Sequence, residues 1–264
     1  MDFITVYFLV ISALLGACAG SFLNCFAWRI VHGESVMKGR SHCDECGHVL
    51  GVRDLIPIVS YLASGGKCRY CGAKLSKRHL GAEIVSALVF LSIAWKYGIS
   101  LETLEFWLLG SALLACSFAD LEAYLVPDRF IVFAIIVRAV FIAVSPEPLE
   151  ALKTSLIGGF SVAAAVLLVV IVMEKVLKKD AMGGGDIKLI FVIGLYLGWE
   201  RNLLCLMMSA LFGVVAGMIS LKKKNDEEAE AFPWGPSIAC AAWVTALFGS
   251  EIISWYLQFF TTVR

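Results

Sequence analysis

Long apolar stretches recur along almost the whole chain and constrain its fold more than any other feature. Eight of them are separated by polar connections: Phe3–Trp28, Ala82–Tyr97, Leu101–Ala119, Phe130–Val144, Thr154–Met173, Ile187–Trp199, Asn202–Leu221 and Trp234–Ile253. A helix that crosses a bilayer needs about 20 predominantly apolar residues. Hydrophobic residues make up 59% of the 264, whereas roughly half is usual in soluble domains. The sequence therefore predicts an all-α polytopic membrane protein with about eight transmembrane helices, surrounded by membrane lipid.

The basic residues indicate how these helices are oriented. If the segment after the first span is cytoplasmic, 17 of the 22 Lys and Arg lie on the cytoplasmic side. Cytoplasmic loops are enriched in Lys and Arg, so this orientation is favoured. With eight spans, the N- and C-termini both lie outside. The formal net charge is zero, and nothing in it points to nucleic acid as a partner.

Paired cysteines mark the one sizeable polar segment, residues 31–80. Cys43 and Cys46 form one C-x-x-C motif, and Cys68 and Cys71 form a second, with 21 residues between the two motifs. Two such knuckles supply the four thiolates of a tetrahedral zinc site. A reducing cytoplasm argues against stable disulfides, although a disulfide or redox pair remains an alternative. We predict a structural zinc in a small cytoplasmic knuckle domain, since four thiolates leave no open position for catalysis.

Two aspartates lie where apolar runs meet polar segments. Asp120 ends the third predicted span, and Asp186 begins the sixth, directly after three glycines. The predicted topology places both on the cytoplasmic face at similar depth. Carboxylates at a membrane edge are costly and therefore functional candidates. A converging pair could share a proton and activate water. Taken singly, Asp186 could be only a helix cap, and Asp128 after Pro127 is predicted to be a turn or cap residue.

These features divide the chain into three predicted domains. Residues 1–30 form the first transmembrane helix, residues 31–80 the zinc-knuckle domain, and residues 81–264 a membrane domain with about seven helices and both aspartates. Asn24, which is polar at membrane depth, requires a partner there. The charged run at residues 222–230 is predicted to be a solvated linker.

Several motifs, in this order, resemble those of the bacterial type IV prepilin peptidases, which are GxGD-type membrane aspartic proteases. The resemblance covers nearly the whole chain and rests on Gly20–Asn24, Arg29, the paired knuckles, Ile56–Leu62, Ser76–Arg78, Glu83, Asp120, Pro127–Asp128, Gly183–Leu189 and Pro233–Pro236. Departures are modest: Trp234 stands where phenylalanine is common, and His79-Leu80 where Tyr-Pro is common.

The resemblance implies a bifunctional enzyme of the bacterial inner membrane. It would cut the basic leader from prepilins and pseudopilins on the cytoplasmic side, with Asp120 and Asp186 as the catalytic pair. It would then methylate the new N-terminus with S-adenosylmethionine. Asn24 and Glu83 are expected to line the pocket of that methyl donor.

Two other classes of protein compete with this interpretation. An ion- or proton-coupled transporter also uses intramembrane carboxylates, but it predicts carboxylates near mid-membrane and internal repeats, and neither is evident in the sequence. A non-catalytic, zinc-bearing scaffold for a secretion machine would leave the glycine-flanked Asp186 unexplained.

Overall fold

The computed structural model describes residues 2–35, 39–43, 45–178, 182–221 and 232–262. The α-helices among them are α1 Phe3–Val31, α2 Val59–Ala63, α3 Lys77–Tyr97, α4 Leu101–Ala123, α5 Asp128–Ala143, α6 Pro148–Leu177, α7 Gly184–Leu221 and α8 Gly235–Thr262. Within the described ranges, β-structure is limited to two isolated bridges. The predicted all-α class is therefore confirmed. The charged run at 222–230 lies outside the described residues, as do Lys38, Lys179 and Arg264, which entered the orientation argument.

Six of these helices are long and apolar enough to cross a membrane, namely α1, α3, α4, α6, α7 and α8. All eight stretches predicted from the sequence are helical, so the lower number has two local causes. Helix α5 has 16 residues, fewer than the roughly 20 that span a bilayer. The sixth and seventh stretches are joined within α7.

Helix α7 is two helical segments that fold back on each other. Gly198, at φ 76° and ψ 172°, interrupts the helical backbone. The side-chain amide of Asn202 donates to the carbonyl of Ile190 at 3.2 Å, although twelve residues of straight helix would separate the two by about 18 Å. Ile190 also packs in one cluster with Leu206. The chain therefore reverses at Gly198, as two separate stretches predict.

The structure divides into two compact units, Met1–Phe118 and Ala119–Arg264. In the first, α1 packs closely on α3. A Cβ on Gly20 would lie 2.5 Å from Ser86 Oγ, and one on Gly16 would lie 2.6 Å from the Ser86 carbonyl. Small residues four apart allow helix backbones to approach this closely in membranes. Helix α4 joins them, with the Trp107 indole donating to the Phe90 carbonyl at 2.9 Å.

The second unit contains the last turn of α4 and helices α5 to α8. Gly158 of α6 and Gly194 of α7 lie backbone to backbone. The amide of Asn202 also donates to the Gly158 carbonyl at 3.1 Å, and Ser155 donates to the Leu195 carbonyl at 2.7 Å. Buried side-chain donors thus satisfy backbone carbonyls where the glycines bring helices together. These contacts fix the two segments of α7 against α6. They thereby position the first residues of α7, which include Asp186.

Candidate active site and metal centre

The four cysteines of the two C-x-x-C motifs converge on one point. The sulfurs of Cys43, Cys46, Cys68 and Cys71 all lie within 4.8 Å of one another. A tetrahedral zinc with Zn–S bonds of about 2.3 Å requires sulfurs about 3.8 Å apart. Cys43 and Cys71 are 3.9 Å apart, too far for a disulfide at about 2.05 Å. The donor set therefore fits zinc, and the structure favours a metal cluster over the disulfide alternative.

Each knuckle is built by the same backbone pattern. The amide of Cys43 donates to the His48 carbonyl at 3.0 Å, and that of Cys68 donates to the Ala73 carbonyl at 2.8 Å. The turns close at Gly47 and Gly72, whose φ angles are 67° and 75°. Positive φ is available to glycine without steric cost. The glycine after each second cysteine is thus a conformational requirement of the turn.

Hydrogen bonds around the second knuckle tune its chemistry. Backbone amides of Cys71 and Tyr70 lower the pKa of the Cys68 thiol to about 7. The Tyr70 hydroxyl donates to Asp54 at 3.1 Å, and this bond to a carboxylate raises the pKa of Tyr70. The Tyr70 ring stacks on His48 of the first knuckle, with centroids 3.6 Å apart. The stacked rings of Tyr70 and His48 therefore link the two knuckles, in addition to the converging thiols.

Asp120 lies in the last turn of α4 and is buried, with 6% of its surface exposed. Its Oδ2 accepts a hydrogen bond from the backbone amide of Gly235 at 2.8 Å. Gly235 is the first residue of α8, so this amide is one of the donors that a helix leaves unpaired at its start. A Cβ on Gly235 would lie 2.8 Å from Asp120 Oδ2. The glycine is what allows the helix start to approach the carboxylate.

Asp186 lies in the first turn of α7, and its backbone amide donates to the Gly183 carbonyl at 3.1 Å. The α4–α5 connection packs against this turn, since a Cβ on Gly185 would lie 2.9 Å from Val126 Cβ. This connection follows Asp120 directly. The carboxyl groups of Asp120 and Asp186 consequently lie close enough to interact electrostatically. The structure thus brings together the two aspartates that the sequence singled out.

Asp128 differs from this pair in its environment. Pro127 is the N-cap of α5 and Asp128 its first helical residue, so Asp128 is not itself the cap. Its exposed carboxylate accepts from the Lys188 ammonium at 2.6 Å. An exposed ion pair of this kind contributes about 0–1 kcal/mol. Asp128 therefore serves as an internal comparison for the buried Asp120.

Asn24 and Glu83, which the sequence nominated for the methyl donor, are both buried in the first unit. The Asn24 Nδ2 lies 2.9 Å from Nδ1 of His79, which supplies the expected partner. Among the described residues, Asn24 Oδ1 has no hydrogen-bond partner. Glu83 Oε2 accepts from the backbone amide of Ile58 at 2.7 Å. Asn24 therefore has one unpaired polar atom among the described residues, and one oxygen of Glu83 is bonded to the backbone.

Two features of these sites were not found from the sequence. One is the hydrogen bond from the Gly235 amide to Asp120, for which the only signal was the Pro233–Pro236 motif. The other is the conformation of Ile58, at φ 62° and ψ −52°. Positive φ is a genuine outlier for a β-branched residue. The only sequence signal for this conformation was Pro57, which precedes Ile58 in the Ile56–Leu62 motif.

Comparisons with known proteins identify the family. A family model described as Bacterial Peptidase A24 N-terminal domain matches residues 14–97, and one described as Type IV leader peptidase family matches residues 107–218. The relatives include proteins named "Prepilin leader peptidase/N-methyltransferase". The one from Pseudomonas putida is 31% identical over 96% of this chain and 94% of its own. The one from Bacillus subtilis (strain 168) is 31% identical over 93% of this chain and 96% of its own.

The chain belongs to the type IV leader peptidase family. The match extends over both units and includes the cysteine segment and both aspartates. The protein is therefore a multi-pass membrane peptidase, which confirms the family inferred from the motifs. No solved structure matches it.

Proposed function

We propose that the protein is a prepilin leader peptidase of the bacterial inner membrane, in which Asp120 and Asp186 cleave the leader from type IV prepilins and pseudopilins. The observation that carries this proposal is the approach of two carboxyl groups at glycine-lined helix ends, in a chain of the leader peptidase family. Aspartic dyads use such a pair of carboxyl groups as a joint acid and base.

In the proposed reaction the two carboxyl groups exchange protons with water and substrate. The ionised aspartate takes a proton from a water molecule, whose oxygen bonds to the scissile carbonyl carbon. The protonated aspartate gives its proton to the carbonyl oxygen. The carbon–nitrogen bond then breaks, the amine leaves with a proton from the pair, and the leader gains a carboxyl end. The apparent pKa values of such a step belong to the pair rather than to one residue.

The surroundings of the pair suit a peptide backbone as substrate. Gly183, Gly184 and Gly185 precede Asp186 without side chains, so an extended strand can approach closely. The Gly235 amide holds Asp120 in one orientation. The substrate's apolar helix would lie in the bilayer, with its basic leader toward the cytoplasm and both enzyme termini outside. This places the scissile bond at the interface, where water reaches it.

We extend the proposal to N-methylation, which the relatives' names include. S-adenosylmethionine, when bound, would supply the methyl group. The unpartnered Oδ1 of Asn24 fits a donor group of such a ligand, and the Glu83 carboxylate fits its positive charge. This chain's residues would then position the new amine of the substrate near the pocket.

The zinc at Cys43, Cys46, Cys68 and Cys71 is proposed as structural. It would tie the two knuckles into one fold, which a segment this small requires. No proton transfer in the proposed cleavage uses it.

Mass spectrometry of a candidate prepilin tests the function. The prepilin is expressed with this protein in a host that lacks its own leader peptidase, and alone as the control. We expect loss of the leader, and a methyl group on the new N-terminus. An intact prepilin beside correctly inserted protein would contradict the proposal.

A further inference from the structure

The segment between the knuckles carries large apolar side chains that the described part of the chain leaves exposed. Val52, Leu55, Ile56, Val59 and Leu62 are 82%, 43%, 44%, 60% and 66% exposed. We call these five residues the apolar strip. Monomeric soluble proteins rarely expose apolar patches of this kind unless they bind something. The strip lies outside the candidate spans, so a simple transmembrane helix does not explain it.

One contact fixes the depth of the strip against α3. The Ile58 amide donates to Glu83 at 2.7 Å, and Glu83 is six residues, or about 9 Å, from the start of α3 at Lys77. Its helical neighbours Ile84 and Val85 are 40% and 48% exposed, as expected of residues that face lipid. The centre of the strip thus lies level with a lipid-facing part of a candidate span.

A second, independent contact gives the same depth against α1. Leu55 lines a groove of about 250 Å³ together with Ser21, Phe22, Cys25, Phe26 and Arg29 of α1. Phe22 lies nine residues before the end of the helix, or about 14 Å from it, and is 63% exposed. The groove that Leu55 lines therefore extends along α1 from Arg29, near its polar end, to the exposed Phe22.

The backbone conformation holds the strip in this position. The amide of Val59 donates to the Pro57 carbonyl at 2.5 Å, which closes a γ-turn around Ile58 at positive φ. Such a turn is strained by about 1–3 kcal/mol and persists only where other contacts impose it. The buried Glu83 carboxylate provides that contact. It therefore fixes the backbone at the centre of the strip.

The charges of the segment favour anionic lipid as the occupant. Residues 31–80 contain eight Lys and Arg against four Asp and Glu. Basic segments beside a membrane are attracted to anionic headgroups, whereas they repel a basic peptide. Arg29 stands at the polar end of the groove, and the rings of Phe22 and Phe26 stack with centroids 5.4 Å apart. The groove thus offers a cation for a phosphate and an apolar wall for an acyl chain.

We infer that the apolar strip is inserted into the lipid leaflet on the knuckle side of the membrane, and that an anionic phospholipid occupies the groove between Leu55 and α1. The strip, which lies between the two C-x-x-C motifs, thereby anchors the knuckle domain to the bilayer. This binding is separate from the aspartate chemistry and does not depend on it.

Photo-crosslinking in a bilayer tests this inference. A photoreactive benzoylphenylalanine is placed at Val52 or Val59, both highly exposed and tolerant of a large side chain. The full chain is reconstituted into vesicles of phosphatidylethanolamine and phosphatidylglycerol and irradiated. The matched control places the same residue at Glu45, which is exposed in the first knuckle. We expect about tenfold more lipid adduct at Val52 and Val59 than at Glu45, because only the strip is in the leaflet.

Two outcomes would overturn the insertion of the strip, and a third would overturn the lipid site in the groove. Equal, low lipid adducts at all three positions would place the strip in water. Adducts to a co-reconstituted prepilin or to a second copy of the chain, in place of lipid, would make the strip a protein-docking surface. For the groove, benzoylphenylalanine in place of Phe22 should crosslink to phosphatidylglycerol in excess of the share of this lipid in the vesicle. Crosslinking in proportion to that share would contradict an anionic lipid site in the groove.

Discussion

The metal centre and the aspartate pair are assembled in opposite ways. All four thiols come from two copies of one short motif within residues 43–71, and each copy forms its own turn. Asp120 and Asp186 are 66 residues apart and meet because the last turn of α4 and the first turns of α7 and α8 lie together. The metal centre is therefore determined by local sequence, whereas the aspartate pair is determined by the packing of helices.

This contrast predicts different sensitivities. A local site fails when a ligand is lost, since its backbone turns depend on few other elements. A packed site fails also when a neighbouring backbone is pushed away, even if both carboxylates remain. The predictions below run from the largest expected effect on cleavage to the smallest.

Removing either carboxylate should have the largest effect. Asp120→Asn or Asp186→Asn should lower the rate of prepilin cleavage by about 10³-fold, within the range for loss of a general acid–base group. Asp128→Asn is the matched control, because Asp128 is exposed and pairs only with Lys188 among the contacts described above. Rates are measured in vesicles from the mass of the product. Equal losses for all three variants would remove the distinction between the proposed catalytic pair and the exposed Asp128.

A substitution that leaves both carboxylates in place should come next. Gly235→Ala puts a Cβ 2.8 Å from Asp120 Oδ2, so the carboxylate or the start of α8 must move. A misplacement of about 1 Å can cost about 10²-fold in rate, and we expect a loss of that order. Gly217→Ala is the control, since nothing lies within 4 Å of its Cβ. Wild-type cleavage by Gly235→Ala would show that the helix start does not position Asp120.

Loss of a thiol should affect the metal far more than the cut. Purified protein should hold about one zinc per chain, and Cys43→Ser or Cys68→Ser should lower this and open residues 31–80 to proteases. Cleavage should fall less than about tenfold, because the metal supplies no group to the proton transfers. Cys205→Ser is a control outside the cluster. Metal analysis of the wild type that finds no zinc in a well-folded segment would contradict the account.

The smallest effect on cleavage is expected at Glu83. Glu83→Gln should cut prepilin within about twofold of the wild-type rate, since the carboxylate takes no part in the acid–base step. The product should, however, remain largely unmethylated, which its mass reveals. Methylation at the wild-type rate would exclude Glu83 from the methyl-donor site. Loss of both activities would assign it to holding the Ile58 turn alone.

Much of this structure could be predicted because its signals are local. Apolar stretches between polar connections predict the long helices, including both halves of α7. The spacing of Cys43, Cys46, Cys68 and Cys71 predicts the cluster and its turns. A common membrane face for Asp120 and Asp186 stays a prediction, which comes from counting spans because alternate helix ends lie on one face.

The remaining features depend on contacts that no local pattern encodes. The bond from Gly235 to Asp120 spans 115 residues, and that from Ile58 to Glu83 spans 25. Asn24 was expected to have a partner, but only packing of α1 on α3 identifies it as His79. The hydrogen bonds from Asn202 to Ile190 and Gly158, which hold the two halves of α7 in place, likewise have no local signal. Such contacts form only when helices pack. The sequence can therefore indicate that a polar group requires a hydrogen-bond partner, but not which residue supplies it.

The central claim is that Asp120 and Asp186 act as one unit, and a double-variant comparison tests it most directly. Cleavage rates are measured in vesicles for Asp120→Asn, for Asp186→Asn and for the chain with both substitutions. Residues that act as a unit show non-additive losses. We predict that the double variant is no slower than the slower single variant. Losses that multiply, or near-normal cleavage by either single variant, would contradict a shared acid–base pair.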